Sequence, residues 1–452
     1  MALDLARSRG RAWVGSLGRV FGQPALRPIL PGMLVSALGD GMSLVAVAWL
    51  AVQLAPADQA GGWVGLAVAA YALPATIGAA ALSRLVRGFR GVRLVAVDAS
   101  LRAVALGTIA VLAVAGLLDP ALYVVLLAVS SLLHAWGNAG AYTLIAESLP
   151  EEDRVTGNAI VSTFTQAAIV VGPALAGALT ALVGAGWVIA ADAASFAFLA
   201  AVCWTVSRRG ATATSARGTV TAATAAAGTG GWRTILDRPR LLGLLVVTCV
   251  FFFLYGPVEV ALPVHVAREL DGSAGLLGLY WAVFGVGATV GGLGAGLLRD
   301  RSPWLVVVSI IVGWGAALLP LGLTDLVVPG LVGFAASGLI YGPFTAICTA
   351  LFQRLSPPDA LSRVLATRTA LTTPATALGT LLGGPLVAAI GGRHTLLLSA
   401  VLTVAFGVSV AMFAGLRPRP AVVPALPPPC RQHRESPAVA SWNAANSVSS
   451  VG

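Results

Sequence analysis

The stretch ATATSARGTVTAATAAAGTGG, residues 211–231, is almost entirely Ala, Thr and Gly. It cannot bury a core, and it reads as a flexible linker. Working outward from it, apolar runs of about 20 residues, each long enough to cross a bilayer, recur on both sides. Charges, Gly and Pro divide them into twelve: 28–53, 62–83, 94–118, 121–146, 157–183 and 186–206 before the linker, and 241–264, 274–298, 304–323, 326–352, 364–390 and 393–415 after it. The chain is therefore expected to be an all-α integral membrane protein of twelve transmembrane helices in two pseudo-symmetric six-helix bundles. Its expected parts are a cytoplasmic N-terminal segment (1–27), a first bundle (28–206), a cytoplasmic linker (207–240), a second bundle (241–415) and a Pro-rich, disordered cytoplasmic tail (416–452).

Composition agrees. Of 452 residues, 57% are apolar and 10% charged, too little polar surface to cover a soluble protein of this size. The first thirty residues are Arg-rich and lack an apolar core followed by a small-residue cleavage site, so no cleavable signal peptide is read there. All 28 basic residues are Arg. A P-loop needs Lys at the terminal phosphates and a retinal protein needs a Schiff-base Lys, so neither an ATP-driven motor nor a retinal pump is expected. Cys203, Cys249, Cys348 and Cys430 show no metal-ligand spacing, and the four His (His134, His265, His394, His433) are scattered without an HExxH. No metal and no cofactor is expected.

The net charge of +10 is topological. With the N-terminus placed in the cytoplasm, 24 of the 28 Arg fall on cytoplasmic segments, only Arg268 and Arg393 fall outside, and Arg102 and Arg368 lie within spans. That asymmetry is the positive-inside pattern, and it predicts both termini in the cytoplasm. Nucleic acid is not needed to explain the charge. The halves also resemble each other: Gly172, Gly177 and Gly184 recur as Gly379, Gly384 and Gly391, all displaced by 207 residues, and Asp119 and Asp325 occupy the same turn. Two parallel repeats suit a transporter with its substrate site between them.

Four stretches carry a family resemblance. GGLGAGLLRDRSP resembles a Gly-x-x-x-Asp-Arg motif through Gly296, Asp300 and Arg301, whereas its first-half counterpart GAAALSRLVRGFRGVR keeps Gly78 and Arg84 but has Ser83 where the family has Asp. VGPALAGAL resembles an antiporter motif through Gly172, Pro173 and Gly177, with Ala176 substituting. LGD, ending in Asp40, resembles a Gly-Asp pair in the first span, and DASLRA puts Asp98 and Arg102 at i,i+4. An Arg-x-x-Gln-Gly motif expected in the fourth span is replaced by LLHAWGNAGAY, with His134 near the Arg position. On these residues the chain resembles the major facilitator superfamily, more narrowly its twelve-span drug-efflux branch, akin to macrolide and siderophore exporters. The resemblance implies gating by the Asp-Arg loops, with the loop carrying Ser83 losing its latch and Arg84 left as a topology anchor. It also implies export rather than import.

Ionisable residues inside a membrane are costly and point to function. Asp40 is the first candidate for proton coupling, with a gate or helix-pairing residue as the bland reading, and Glu259, after the Gly256-Pro257 break, is the second. Asp192, about two turns from the outer end of span 6, is a further proton-coupling candidate and reads equally as a solvated or capping residue. His134 reads as a core histidine or a protonation site. Arg102 is expected to pair with Asp98 or, alternatively, with Asp40. Trp136, Asn138, Gln166, Tyr255 and Trp281 are candidates for a substrate cavity, whose aromatic character suits bulky amphipathic compounds. GxxxG patterns at Gly287–Gly291 and Gly292–Gly296 are read as internal packing, so a monomer is expected. The expected function is a plasma-membrane secondary exporter, not an enzyme. It exchanges small amphipathic molecules for protons, with an uptake symporter as the alternative.

Overall fold

The computed structural model describes residues 15–56, 58–86, 88–210, 230–298, 301–357 and 360–415. Among the described residues, eleven helices or helix pairs are long and apolar enough to cross a membrane. The last covers 51 residues, Arg363–Phe413, which is two spans' worth. It divides at Gly391, whose φ of 81° and ψ of 167° interrupt the helix. Gly184, its counterpart 207 residues earlier, has φ 89° and ψ 156° and separates spans 5 and 6. Both positions use a conformation that only glycine adopts cheaply. Twelve spans result: span 1 Ile29–Leu54, span 2 Ala60–Ala72 with Pro74–Ala81, span 3 Gly91–Val114, span 4 Pro120–Ser131 with His134–Ser148, span 5 Glu151–Val183, span 6 Ala185–Gly210, span 7 Pro239–Val264, span 8 Ala274–Leu293, span 9 Pro303–Leu323, span 10 Val327–Tyr341 with Phe344–Leu355, and spans 11 and 12 within Leu361–Gly415.

Every span is helical because hydrocarbon offers no partner for backbone N–H and C=O groups. The outward faces stay apolar and bare: Leu182, Leu293 and Leu297 are each about four-fifths exposed, as lipid-facing side chains are. Two boundaries differ from the sequence reading. Span 5 begins at Glu151 rather than 157, because Pro150 starts the helix and Glu151, Glu152 and Asp153 complement its N-terminal dipole. The segment 207–240 is not all linker: Gly230–Leu236 is a short helix with Ile235 fully buried, and Arg238 Nη1 donates to the Leu355 carbonyl at 3.2 Å. The remainder of the linker, and the tail from 416, lie outside the described residues.

Close glycine contacts repeat between the halves. Gly172 of span 5 lies against the Gly41 backbone of span 1, and Gly379 of span 11 lies against the Phe253 backbone of span 7. Across the halves, Gly177 packs on Gly278 of span 8, and Gly384 packs on Gly61 and Gly65 of span 2. A Cβ at any of these approaches would meet backbone atoms, so the pairings fix the helix spacing. Gly287 and Gly291 meet span 10 in the same way, at Ala335 and Leu339, which gives the GxxxG pattern an internal partner. These inter-half contacts lie toward the span ends opposite the Arg-rich loops, and Arg268 Nη2 adds a 3.5 Å hydrogen bond to the Val52 carbonyl there. On the Arg-rich side a short helix, residues 15–22, is tied to the start of span 5: Ser16 Oγ donates to Asp153 at 2.6 Å, and Arg19 grips both Asp153 oxygens at 2.8 and 2.7 Å.

Candidate functional site

The first bundle encloses a cavity of about 360 Å³ on the Arg-rich side of the inter-half contacts. Its polar lining comes from Asp40, Tyr71, Asp98, His134, Asn138 and Thr165, and its apolar lining includes Leu44, Phe164, Phe196 and Leu199. Asp40 sits about 16 Å into a helix about 39 Å long, so it lies near mid-membrane rather than at a helix end. Its side chain is 32% exposed to this space, while its partner Arg102 is 1% exposed.

Arg102 decides the arrangement. Its Nη1 donates to Asp40 Oδ1 at 2.8 Å and reaches the Tyr71 hydroxyl at 3.4 Å; the Tyr71 hydroxyl itself donates to the same Asp40 oxygen. The guanidinium also lies over the Phe196 ring, 4.9 Å from its centroid. Asp98, the i,i+4 neighbour, is farther: its Oδ1 lies 3.8 Å from Arg102 Nε, and neither atom has a hydrogen-bond partner. Of the two pairings open from sequence, the hydrogen-bonded one is to Asp40, with Asp98 held in reserve. Asp98 fits because Gly137 of span 4 has no side chain; a Cβ there would overlap its carboxylate.

Asp192 is neither solvated nor a cap. It is fully buried, accepts from Ser43 Oγ of span 1 and lies 3.3 Å from Ser195 Oγ. Distance along the helix misled here: span 6 turns this face toward span 1, where Gly39 leaves the room that the carboxylate fills. Among the described residues, the membrane interior of the first bundle thus sets three acids, Asp40, Asp98 and Asp192, against the one guanidinium of Arg102. Neutrality requires two further positive charges, supplied by protons, by a cationic guest or by one of each, because uncompensated charge within the membrane is expensive. His134 stands at the cavity wall at the break in span 4, with Asn138 Nδ2 3.1 Å from its Nε2.

The other sequence candidates lie elsewhere. Trp136 is buried against Val86 and Leu94, its indole N–H donating to the Gly78 carbonyl at 3.1 Å, so it braces spans 2 and 4 rather than lining the cavity. Gln166 is exposed on span 5, one residue past the lining Thr165. Tyr255 and Trp281 belong to an aromatic cluster in the second bundle: Tyr255 packs on Trp314 and Tyr341, and Trp281 packs on Phe284 and Phe334. Glu259 accepts from Thr380 Oγ1 at 3.2 Å, with no cation within 4 Å among the described residues. Gly172, Pro173 and Gly177 form the wedge of span 5 between spans 1 and 8, with the Pro173 carbonyl against Gly278. Arg84, Gly296 and Arg301 are exposed at the Arg-rich face, and Asp300 lies outside the described residues. Sequence reasoning missed Tyr71 and Ser43. A hydroxyl in an apolar span was their only signal.

The chain matches the family model of the Major Facilitator Superfamily over residues 29–335 and 258–445. It belongs to that superfamily. Membership makes the chain a membrane transporter rather than an enzyme. It is 29% identical over 412 residues to the multidrug efflux pump Tap of Mycobacterium tuberculosis, covering 86% of this chain and 93% of that one. Over 197 residues it is 24% identical to macrolide efflux protein A of Streptococcus pyogenes, 41% and 47% of the two chains. Among solved structures, the nucleoside transporter NupG superposes with a TM-score of 0.67 at 13% identity, covering 86% of this chain and 99% of that one. An inward-facing, unoccupied bacterial homologue of the lysosomal transporter Spinster superposes with a TM-score of 0.62 at 14% identity, covering 86% and 95%.

Proposed function

We propose that this transporter resides in the plasma membrane as a monomer with both termini cytoplasmic, and exports small amphipathic compounds in exchange for protons by alternating access. The Arg asymmetry supports the orientation, and with it the present arrangement is closed outside and carries its cavity on the cytoplasmic side. The names of the relatives, an efflux pump and an efflux protein, support the direction, and the apolar wall of Leu44, Phe164, Phe196 and Leu199 suits an amphipathic guest.

The observation that carries the coupling is the position of Asp40, open to the cavity on one side and bonded to a buried guanidinium on the other. A proton arriving on Asp40 removes the charge that holds Arg102. The guanidinium then closes on Asp98, whose Oδ1 waits 3.8 Å away. Loss of the proton reverses the exchange. Because Asp40 is on span 1 and Asp98 is on span 3, this movement changes which helices are tied together, and it links proton occupancy to bundle shape.

The test adds an environment-sensitive amphipathic dye to the medium of everted membrane vesicles, which expose the cytoplasmic face, and follows its uptake. Wild-type transport should collapse when the pH gradient is dissipated. Asp40→Asn should leave a residual, gradient-independent flux, and Glu259→Gln should leave the coupling intact. Dye movement that ignores both the gradient and Asp40→Asn refutes proton antiport through this residue.

A further inference from the structure

Span 11 contains a second intramembrane cation that the coupling scheme does not use. Arg368 lies seven residues into Leu361–Gly415, about 10 Å from the Arg-rich face. Its Nη1 donates to Thr349 Oγ1 of span 10 at 2.8 Å, and its guanidinium lies over the Phe352 ring, 5.2 Å from the centroid. Among the described residues no carboxylate comes within 4 Å of it. A charged group held in a span by one hydroxyl and one ring lacks the counter-charge that such groups ordinarily keep.

The internal repeat says which way this residue faces. The displacement of 207 that superimposes Gly172, Gly177 and Gly184 on Gly379, Gly384 and Gly391 carries Val161 onto Arg368. It likewise carries Phe164, Thr165 and Ala168 onto Leu371, Thr372 and Ala375. Val161, Phe164, Thr165 and Ala168 are the face of span 5 that lines the first-bundle cavity. The repeat therefore makes Arg368 the second-bundle equivalent of the cavity-lining Val161. Arg368 also lies at the depth of Asp98, which is seven residues into span 3 from the same face of the membrane.

Among the described residues, none of the acids within the spans is placed to satisfy it. Glu259 lies 20 residues into span 7, about 30 Å from the Arg-rich face, and belongs to the same bundle, so rigid rocking of the halves does not bring the two together. Asp98 and Asp192 are buried inside the first bundle, and Asp40 is already held by Arg102 and Tyr71. We infer that Arg368, with Thr349, is the anion-binding subsite of the substrate cavity, and that the preferred cargo is an amphipathic zwitterion. Its cationic group lies toward the acid-rich wall of the first bundle and its carboxylate lies toward Arg368. Guanidinium and hydroxyl together offer the donor set that a carboxylate needs.

This inference rests on the export reading above, and its test keeps the two apart. Everted vesicles are given a piperazinyl fluoroquinolone, a zwitterion near neutral pH, and separately its ethyl ester, which keeps the cation and loses the carboxylate. Arg368→Gln should lower zwitterion transport by about tenfold or more while leaving the ester within about twofold of wild type, and Thr349→Val should produce a smaller selective loss. Arg368→Lys, which keeps the charge and protects against a folding failure of the Gln variant, should retain zwitterion transport with a raised KM and an unchanged KM for the ester. Equal loss of both probes assigns Arg368 to gating or packing and overturns the inference. So do unchanged transport of both and a wild type that carries only the ester. A wild type that carries neither probe, nor the dye, refutes the export reading instead.

Discussion

Replacing Arg102 by Met tests the ionic core of the first bundle directly. The guanidinium is 1% exposed and faces two acids of unequal surroundings: the Asp40 side chain is 32% exposed and borders the cavity, whereas that of Asp98 is 10% exposed with its Oδ1 unpartnered. Breaking a buried pair by deleting one partner costs about 3–5 kcal/mol, because a charge is left without compensation. Water entering the cavity relieves Asp40, so most of the penalty should fall on Asp98. Arg102→Met should therefore lower the melting temperature of the purified protein strongly. Adding Asp98→Asn should recover more of that loss than adding Asp40→Asn, even though Asp40 makes the shorter contact. Neither double variant should couple transport to the pH gradient. Thermal unfolding of the single and double variants in one detergent, followed by reconstitution of those that survive, supplies both readouts. An Arg102→Met protein as stable as wild type, or fuller rescue by Asp40→Asn than by Asp98→Asn, refutes the assignment of Asp98 as the stranded charge.

Gly278→Val places side-chain atoms against the Gly177 backbone, so it should disfavour the state closed opposite the Arg-rich loops; a cysteine introduced at Asn138 in a cysteine-free background should then react more slowly with an impermeant thiol reagent applied from the cytoplasmic side. Gly137→Ala should displace the Asp98 carboxylate and reduce coupled transport, with thermal stability falling by about 1–3 kcal/mol as for overpacking elsewhere. Asp153→Asn removes the ionic grip on Arg19, but Arg19 is 60% exposed and solvent screens the pair, so the stability loss should be small, and faster proteolysis ahead of residue 29 is the sharper readout.

Sequence alone carries the skeleton and leaves the rotations undecided. The spans are legible because apolar length is a bilayer requirement, and Gly184 and Gly391 are legible as equivalent breaks because they recur at one displacement. Asp40 stands out for the same reason, as a charge where hydrocarbon is expected. What sequence cannot fix is the azimuth of a helix that is apolar all round. A soluble helix announces its buried face through its polar one, and these spans have no polar face to announce it with. Hence the sequence places Asp192 along span 6 but leaves open whether it is a proton site, a solvated group or a cap, when it points at Ser43, and it offers Trp136 as a cavity candidate, when its indole braces Gly78. Tyr71 escaped notice because nothing in AVAAYALP distinguishes a hydroxyl that meets a carboxylate from one that meets lipid headgroups. The internal repeat removes part of that ambiguity. Once the lining of span 5 is known, the displacement of 207 transfers its azimuth to span 11, and a residue that sequence left as a stray arginine within a span acquires a direction.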